Sequence, residues 1–262
     1  MSKGIALVTG GTMGIGKALC LLLKDAGYQV FSASRSKSLP QGMDGITQIS
    51  VDFSNPEETR SFAKKFLSDF GAPVVLINNA GYGAFYEWAE FPKEEINRQV
   101  QVLFSSPVEL CRIFAPAMAE QSRGVIVNLS SLATLYPLPF MPLYNAGKAA
   151  LSSFSKTLML EYIQSPAIID FRMGNVRTDF NCSASKQGNH SEKMTSTWTQ
   201  IDEQLQASIL PDRAAQQIFL RIQNAKSGTY FGGGWFHAQF LPIVDRFLPT
   251  KLKNYIIRLW YR

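Results

Sequence analysis

The chain has 262 residues, 46% hydrophobic and 18% charged, with a formal net charge of +6 at neutral pH. That length suits one large α/β domain with its own core, and no linker, repeat or low-complexity tract divides residues 1–262. The charge is modest for a nucleic-acid partner, and two distant histidines, His190 and His237, argue against a zinc site.

Three scattered cysteines, Cys20, Cys111 and Cys182, form no C-x-x-C pair and imply no disulfide framework. A reducing, cytoplasmic location is expected from them. Met1-Ser-Lys-Gly4 runs straight into an apolar strand, so neither a signal peptide nor an apolar stretch that spans a bilayer is expected.

In chain order, strands are predicted at 4–9, 28–33, 47–51, 73–78, 124–130, 167–172 and 228–231. Helices are predicted at 14–26, 55–69, 92–120, 143–164 and 211–225. The repeated change of hydrophobic period from 2 to 3.6 argues for βαβ units and a parallel sheet. Apolar runs such as Val125-Ile-Val127 suit strands covered on both faces.

The first strand, Ile5-Ala-Leu-Val8, leads into Thr9-Gly-Gly-Thr-Met-Gly-Ile-Gly16 and then a helical run from Lys17 to Lys24. Strand, glycine turn and helix in that order place backbone N–H groups and a positive helix end where a pyrophosphate can sit. Gly10, Gly14 and Gly16 permit the turn and the close approach. The spacing T-G-x-x-x-G-x-G differs from the commoner G-x-G-x-x-G, and such a turn alone is equally consistent with a plain strand-to-helix connection.

The end of the second strand is where NAD-binding chains place an acid for the ribose hydroxyls. Here Ser34 holds that place and Arg35 follows, with Lys37 nearby. Nothing there repels a 2′-phosphate, and the planar donor fork of Arg35 suits phosphate oxygens; the alternative is a solvated loop charge. Asp52 follows the third strand, where it could also cap the helix beginning near Asn55.

Ser131 follows the fifth strand, and Leu143-Tyr-Asn-Ala-Gly-Lys148 puts Tyr144 and Lys148 on one helical face. A free phenol ionises near pH ~10, and an adjacent ammonium would draw that value down. With the Ser131 hydroxyl as a further donor, the three groups can carry proton transfer to or from a carbonyl oxygen.

On these residues the chain resembles the short-chain dehydrogenase/reductase family. The resemblance rests on the glycine turn, Asn78-Asn-Ala-Gly81 after Val74-Val-Leu-Ile77, Ser131, Tyr-x-x-x-Lys, and Gly174 with Thr178, covering roughly residues 4 to 180. It implies a Rossmann-type, doubly wound α/β sandwich around a mostly seven-stranded parallel sheet. It implies NADP(H) as cofactor, held by Gly10, Thr12, Met13, Gly14, Ile15, Gly16, Ser34, Arg35, Asp52, Phe53, Asn79, Ala80, Gly81, Tyr144, Lys148, Val176 and Thr178. Tyr144 would act as acid/base on a carbonyl or alcohol substrate, with Lys148 on the nicotinamide ribose and Ser131 on the carbonyl. Asp52 would contact the adenine, and the Tyr144 helix with its predecessor would form a homodimer or homotetramer interface.

Three positions depart from the family pattern. An asparagine expected in the helix before the fifth strand is replaced by Leu103, with Gln101 on another face. Gly147 stands where serine commonly precedes the lysine, and Met173 where proline precedes the glycine. Leu103 motivates an alternative reading as a weakly active or non-catalytic NADP(H)-binding protein acting through its oligomer or partners.

Residues 179–209 form a long polar stretch read as a loop without regular structure, which the resemblance implies is a substrate lid, with Phe180, Met194 and Trp198 offering apolar contacts. Tyr136-Pro-Leu-Pro-Phe-Met141 and Tyr82-Gly-Ala-Phe-Tyr86 either wall an apolar substrate site or pack the loops. Residues 251–262 form a basic amphipathic helix with Leu252, Tyr255, Ile256, Leu259 and Trp260 on one face. It is expected to cover a neighbouring subunit or the substrate pocket; the alternative is an anionic membrane surface, with a lipid or sterol-like ketone as substrate.

Overall fold

A computed structural model describes residues 2–178 and 191–261. Seven parallel strands, β1 (Ile5–Thr9), β2 (Gln29–Ser34), β3 (Thr47–Ser50), β4 (Val75–Asn78), β5 (Val125–Ser131), β6 (Ala167–Met173) and β7 (Gly228–Gly232), lie in the order β3-β2-β1-β4-β5-β6-β7. The order reverses between β1 and β4, which opens a crevice at their carboxyl ends. Both loops bordering it were singled out in the sequence: the glycine turn and Asn79-Ala-Gly81.

Strand side chains alternate between two cores. Ala6, Val8, Val75, Ile77, Val127 and Ile169 pack beneath α1 (Gly14–Asp25) and a later helix, Pro211–Asn224. Leu7, Leu76, Ile126 and Ile168 point the other way, toward Phe66 of α2 (Pro56–Phe70) and Phe114. Burial on both faces is why these strands read as continuous apolar runs. Helix α2 starts at Asn55, whose side chain accepts from the N–H groups of Glu57 and Glu58 at 3.0 and 3.2 Å. The cap is therefore Asn55 and not Asp52, whose carboxylate accepts from Ser54 N–H and hydroxyl at 2.9 and 2.8 Å.

The predicted helix 92–120 is interrupted. α3 (Lys93–Val100) passes through a π-helical turn, Gln101–Ser105, into α4 (Ser106–Glu120). By length and composition the Lys93–Glu120 run could cross a membrane, contrary to the sequence expectation, but half of its most apolar window is buried in the fold. α5 (Pro142–Glu161) follows β5, with Pro142 in its first turn.

The stretch 179–209 is not structureless throughout. Residues 179–190, including Phe180, Cys182 and His190, lie outside the described residues. After them comes α6 (Glu192–Gln206), capped by Ser191, whose hydroxyl accepts from Met194 N–H at 3.2 Å. Met194, Thr197, Ile201 and Leu205 are its buried side, a helical spacing masked by the polar residues between them. α7 (Pro211–Asn224) covers β6 and β7.

The chain then forms a second π-helical turn, Phe236–Phe240, α8 (Leu241–Phe247) and α9 (Thr250–Trp260). Sequence reasoning anticipated only the last of these. Neither α8 nor α9 contains a buried residue.

Candidate active site

The glycine turn is shaped by close approach. Gly10 and Gly14 have φ of +66° and +51°, conformations that side chains disfavour. A Cβ on Gly10 would lie 3.0 Å from the Ala80 backbone, and one on Gly16 only 2.2 Å from the Gly10 carbonyl oxygen. The two crevice loops are tied together as well. Asn79 Nδ2 donates to the Thr9 and Gly10 carbonyls at 2.8 and 3.2 Å, while the Thr9 hydroxyl accepts from Asn79 and Ala80 N–H at 2.9 Å each. No side chain caps α1, and its first turn carries no acid, so its amides and positive end face the crevice uncompensated. This donor set fits a pyrophosphate.

At one end of the crevice, Ser34 accepts from Gln48 Nε2 at 2.9 Å and lies 3.4 Å from the Thr12 hydroxyl. Arg35 is exposed and lines the crevice with Ser36, Asp52, Phe53 and Arg98. Lys37 is exposed and takes no part. Burial raises the Asp52 pKa, but hydrogen bonds from Ser54 and the charges of Arg35 and Arg98 outweigh it, holding the carboxyl below its usual range.

In the middle, β5 delivers Ser131 and the first turns of α5 deliver Tyr144 and Lys148. The Ser131 hydroxyl accepts from Ala133 N–H at 3.1 Å and is hydrogen-bonded to Tyr144. Desolvation raises the Tyr144 pKa and the Ser131 hydrogen bond works against it, leaving the phenol above its ordinary value. The lowering expected from Lys148 is not seen. Its Nζ donates to the Leu129 carbonyl at 2.6 Å, and burial pushes the amine down to about 8. The structure thus presents a protonated phenol at neutral pH. Beneath these residues lies a buried polar cluster: Asp170 accepts from Ser130, from Ser152 at 2.7 Å and from Arg172 at 3.1 Å.

A profile of the family described as short chain dehydrogenase matches residues 4–189. The chain belongs to the short-chain dehydrogenase family. It is 32% identical over 161 residues to a 3-ketodihydrosphingosine reductase of Bacteroides thetaiotaomicron, a match covering 62% of this chain and 59% of that protein. It is 35% identical over 178 residues to a very-long-chain 3-oxoacyl-CoA reductase of Anas platyrhynchos, covering 63% and 56%. The matched region therefore spans less than two thirds of either relative's length. Among solved structures, a short-chain dehydrogenase from Streptomyces avermitilis superposes with a TM-score of 0.79 at 26% identity, covering 89% of this chain and 90% of that one.

Against the family pattern, the departures at Leu103 and Gly147 turn out to be one feature. Leu103 is fully buried in the π-helical turn. A Cβ on Gly147 would meet Leu103 Cβ at 2.9 Å, and one on Gly81 would meet Leu103 Cδ2 at 3.1 Å and Lys148 Nζ at 3.5 Å. Leu103 can lie this close to both backbone segments because each of those positions, 81 and 147, is glycine. Gln101 points elsewhere, donating to the Ser106 hydroxyl at 3.0 Å, and does not replace the missing amide.

One continuous cavity of about 710 Å³ runs through the site. It is lined by every residue expected to act in catalysis or to hold the dinucleotide except Gly16, which packs beneath the turn. Met173 lines it too, while Thr178 sits against Gly14. Beyond Tyr144 the walls are apolar: Leu138 and Met141, Ile201 and Leu205 of α6, and side chains of the C-terminal segment, among them Phe240, Val244, Ile257 and Tyr261. Of the expected walls, Tyr82, Tyr136, Pro137, Leu138 and Met141 reach the cavity. Phe85, Phe140, Met194 and Trp198 instead pack with one another.

Sequence reasoning missed Arg98, Asn175, Gln204 and His237. Asn175 lies inside the Gly174–Thr178 segment already singled out, whereas the other three enter through tertiary packing and no local pattern marks them. His237 fills the space a side chain on Gly174 would need, its Cβ 2.6 Å from that position, and burial lowers its pKa.

Proposed function

We propose that the protein is an NADPH-dependent reductase of a ketone or aldehyde carried on an apolar molecule. The observation carrying this reading is the single cavity that joins Arg35, the Ser131–Tyr144–Lys148 cluster and an apolar chamber. When bound, NADPH would supply the hydride. The glycine turn and the α1 N-terminus would hold its pyrophosphate, Arg35 its 2′-phosphate, Asp52 its adenine and Lys148 its nicotinamide ribose.

Ser131 and Tyr144 would both donate to the substrate oxygen, and Tyr144 would release its proton as the alkoxide forms. A phenol held in its acid form suits reduction, which consumes a proton. Two relatives are named as reductases of 3-keto or 3-oxo compounds, one of them very-long-chain, in keeping with the apolar chamber. The cytoplasm suits the free thiols of buried Cys20 and Cys111. A homodimer or homotetramer through α4 and α5 completes the reading.

The test is NADPH oxidation across a panel of 3-oxo substrates of increasing chain length. Tyr144→Phe is expected to lower turnover by about 10²–10⁴-fold while leaving NADPH binding nearly intact. Leu103, buried against Gly81 and Gly147, favours a second reading in which the dinucleotide is bound but turned over weakly. NADPH binding without Tyr144-dependent oxidation of any substrate would select that second reading.

A further inference from the structure

The side of α9 expected to pack against protein faces solvent. Leu252, Tyr255, Ile256, Leu259 and Trp260 are all exposed, while Lys253, Ile257 and Tyr261 turn inward. α8 and the turn before it extend the same character: Trp235 is 68%, Ile243 61% and Phe247 78% exposed. Trp235 and Phe236 each stack on Phe240 rather than beneath the fold. So many large apolar side chains in one C-terminal segment mark an interaction surface and not ordinary surface scatter.

Its charge is one-sided. From Gly233 to Tyr261 the chain has four cations, Arg246, Lys251, Lys253 and Arg258, against a single carboxylate, Asp245. Asp245 is paired with Lys253 at 2.7 Å, which braces α8 against α9. Arg246, Lys251 and Arg258 are exposed and have no ion pair among the described residues. The segment is anchored from behind, by Tyr136 Oη donating to the Leu241 carbonyl at 3.0 Å and by Gln200 donating to the Trp260 carbonyl at 2.8 Å.

Phe236, Phe240, Ile256 and Trp260 are exposed and also line the cavity. The cavity therefore opens through this apolar, basic face. A second copy of the chain seated here would seal that mouth. A lipid surface would cover the same side chains and leave the mouth in contact with acyl chains.

We propose that α8 and α9 dock on an anionic lipid bilayer and that the cavity draws its apolar substrate from it. The docking stands independently of the activity; the substrate route rests on the reductase reading above. Tryptophan, phenylalanine and leucine would enter the interface while Arg246, Lys251 and Arg258 meet lipid phosphates.

Flotation of the full chain with vesicles tests this. Binding is expected to vesicles of phosphatidylcholine mixed with phosphatidylglycerol, to fall with added salt, and to be weak on phosphatidylcholine alone. Lys251→Gln and Arg258→Gln are each expected to weaken binding about fivefold. The pair Ile243→Ser and Phe247→Ser, which do not line the cavity, should weaken it at least about tenfold while preserving NADPH binding and turnover of a water-soluble ketone. No flotation with either vesicle, or flotation untouched by these four changes, overturns the docking. So does concentration-dependent dimerisation abolished by the same changes, which would assign the face to a second copy. Vesicle binding by a protein that reduces nothing would retire the reductase reading and leave the docking in place.

Discussion

At the Arg35 end of the cavity, backbone meets backbone: Gly16 touches the Gly10 carbonyl and Asn79 laces the two crevice loops together. At the opposite end the walls are side chains of α8 and α9, helices with no buried residue. In the reading proposed above, the first region would hold a dinucleotide of constant shape and the second an apolar substrate of variable length. Rigidity would then sit where geometry must not vary, and adjustable exposed surface where the bound molecule does. Local stability should differ accordingly.

Four measurements would sharpen or break that contrast. The largest effect on stability is expected beneath the site. Asp170→Ala leaves Arg172 buried without its carboxylate, and urea unfolding should show a loss of about 3–5 kcal/mol. A loss near zero would mean that the floor of the rigid half is not held by this cluster.

Lys148 comes next. Its amine is held at about 8, against 10.5 when free, so between those values the unfolded chain binds more protons than the folded one. Stability should therefore rise with pH across that window and fall as pH drops toward 8, by on the order of 3 kcal/mol. Subtracting the profile of Lys148→Met isolates the effect; parallel profiles would contradict it.

Arg35→Ala should raise the dissociation constant for NADPH by about 10–100-fold and leave that for NADH almost unchanged. Equal losses for both cofactors would remove the phosphate role. Smallest is the coupling between Leu103 and Gly147. Gly147→Ser and Leu103→Ala should each destabilise alone, and because Leu103→Ala keeps the Cβ that a side chain at 147 meets at 2.9 Å and removes only Cγ and Cδ1, the double variant should be better than their sum by only about 0.5 kcal/mol. Strict additivity would show that their contact carries no energy.

What the sequence revealed follows the same division. Gly10, Gly14, Tyr144 and Lys148 were legible because backbone turns and helix faces impose fixed spacings. The strands were legible because burial on both faces leaves an uninterrupted apolar run. α6 was hidden by its composition, since only four of its fifteen residues are buried and polar side chains separate them. Arg98 and His237 reach the cavity from elements far away in the chain, which no local window can register. The family spacing pointed to Leu103 and Gly147 separately, but only three dimensions show that they touch. Likewise the apolar stripe of α9 was visible, whereas the side of it that faces water was not.

That contact also constrains what the helix can accept at position 147. A serine there would drive its Cβ into the Leu103 Cβ, an atom that every residue except glycine would keep at 103. Trimming Leu103 alone therefore opens no room for it. The close approach of these two turns depends on the bare backbone of Gly147, whichever side chain stands opposite.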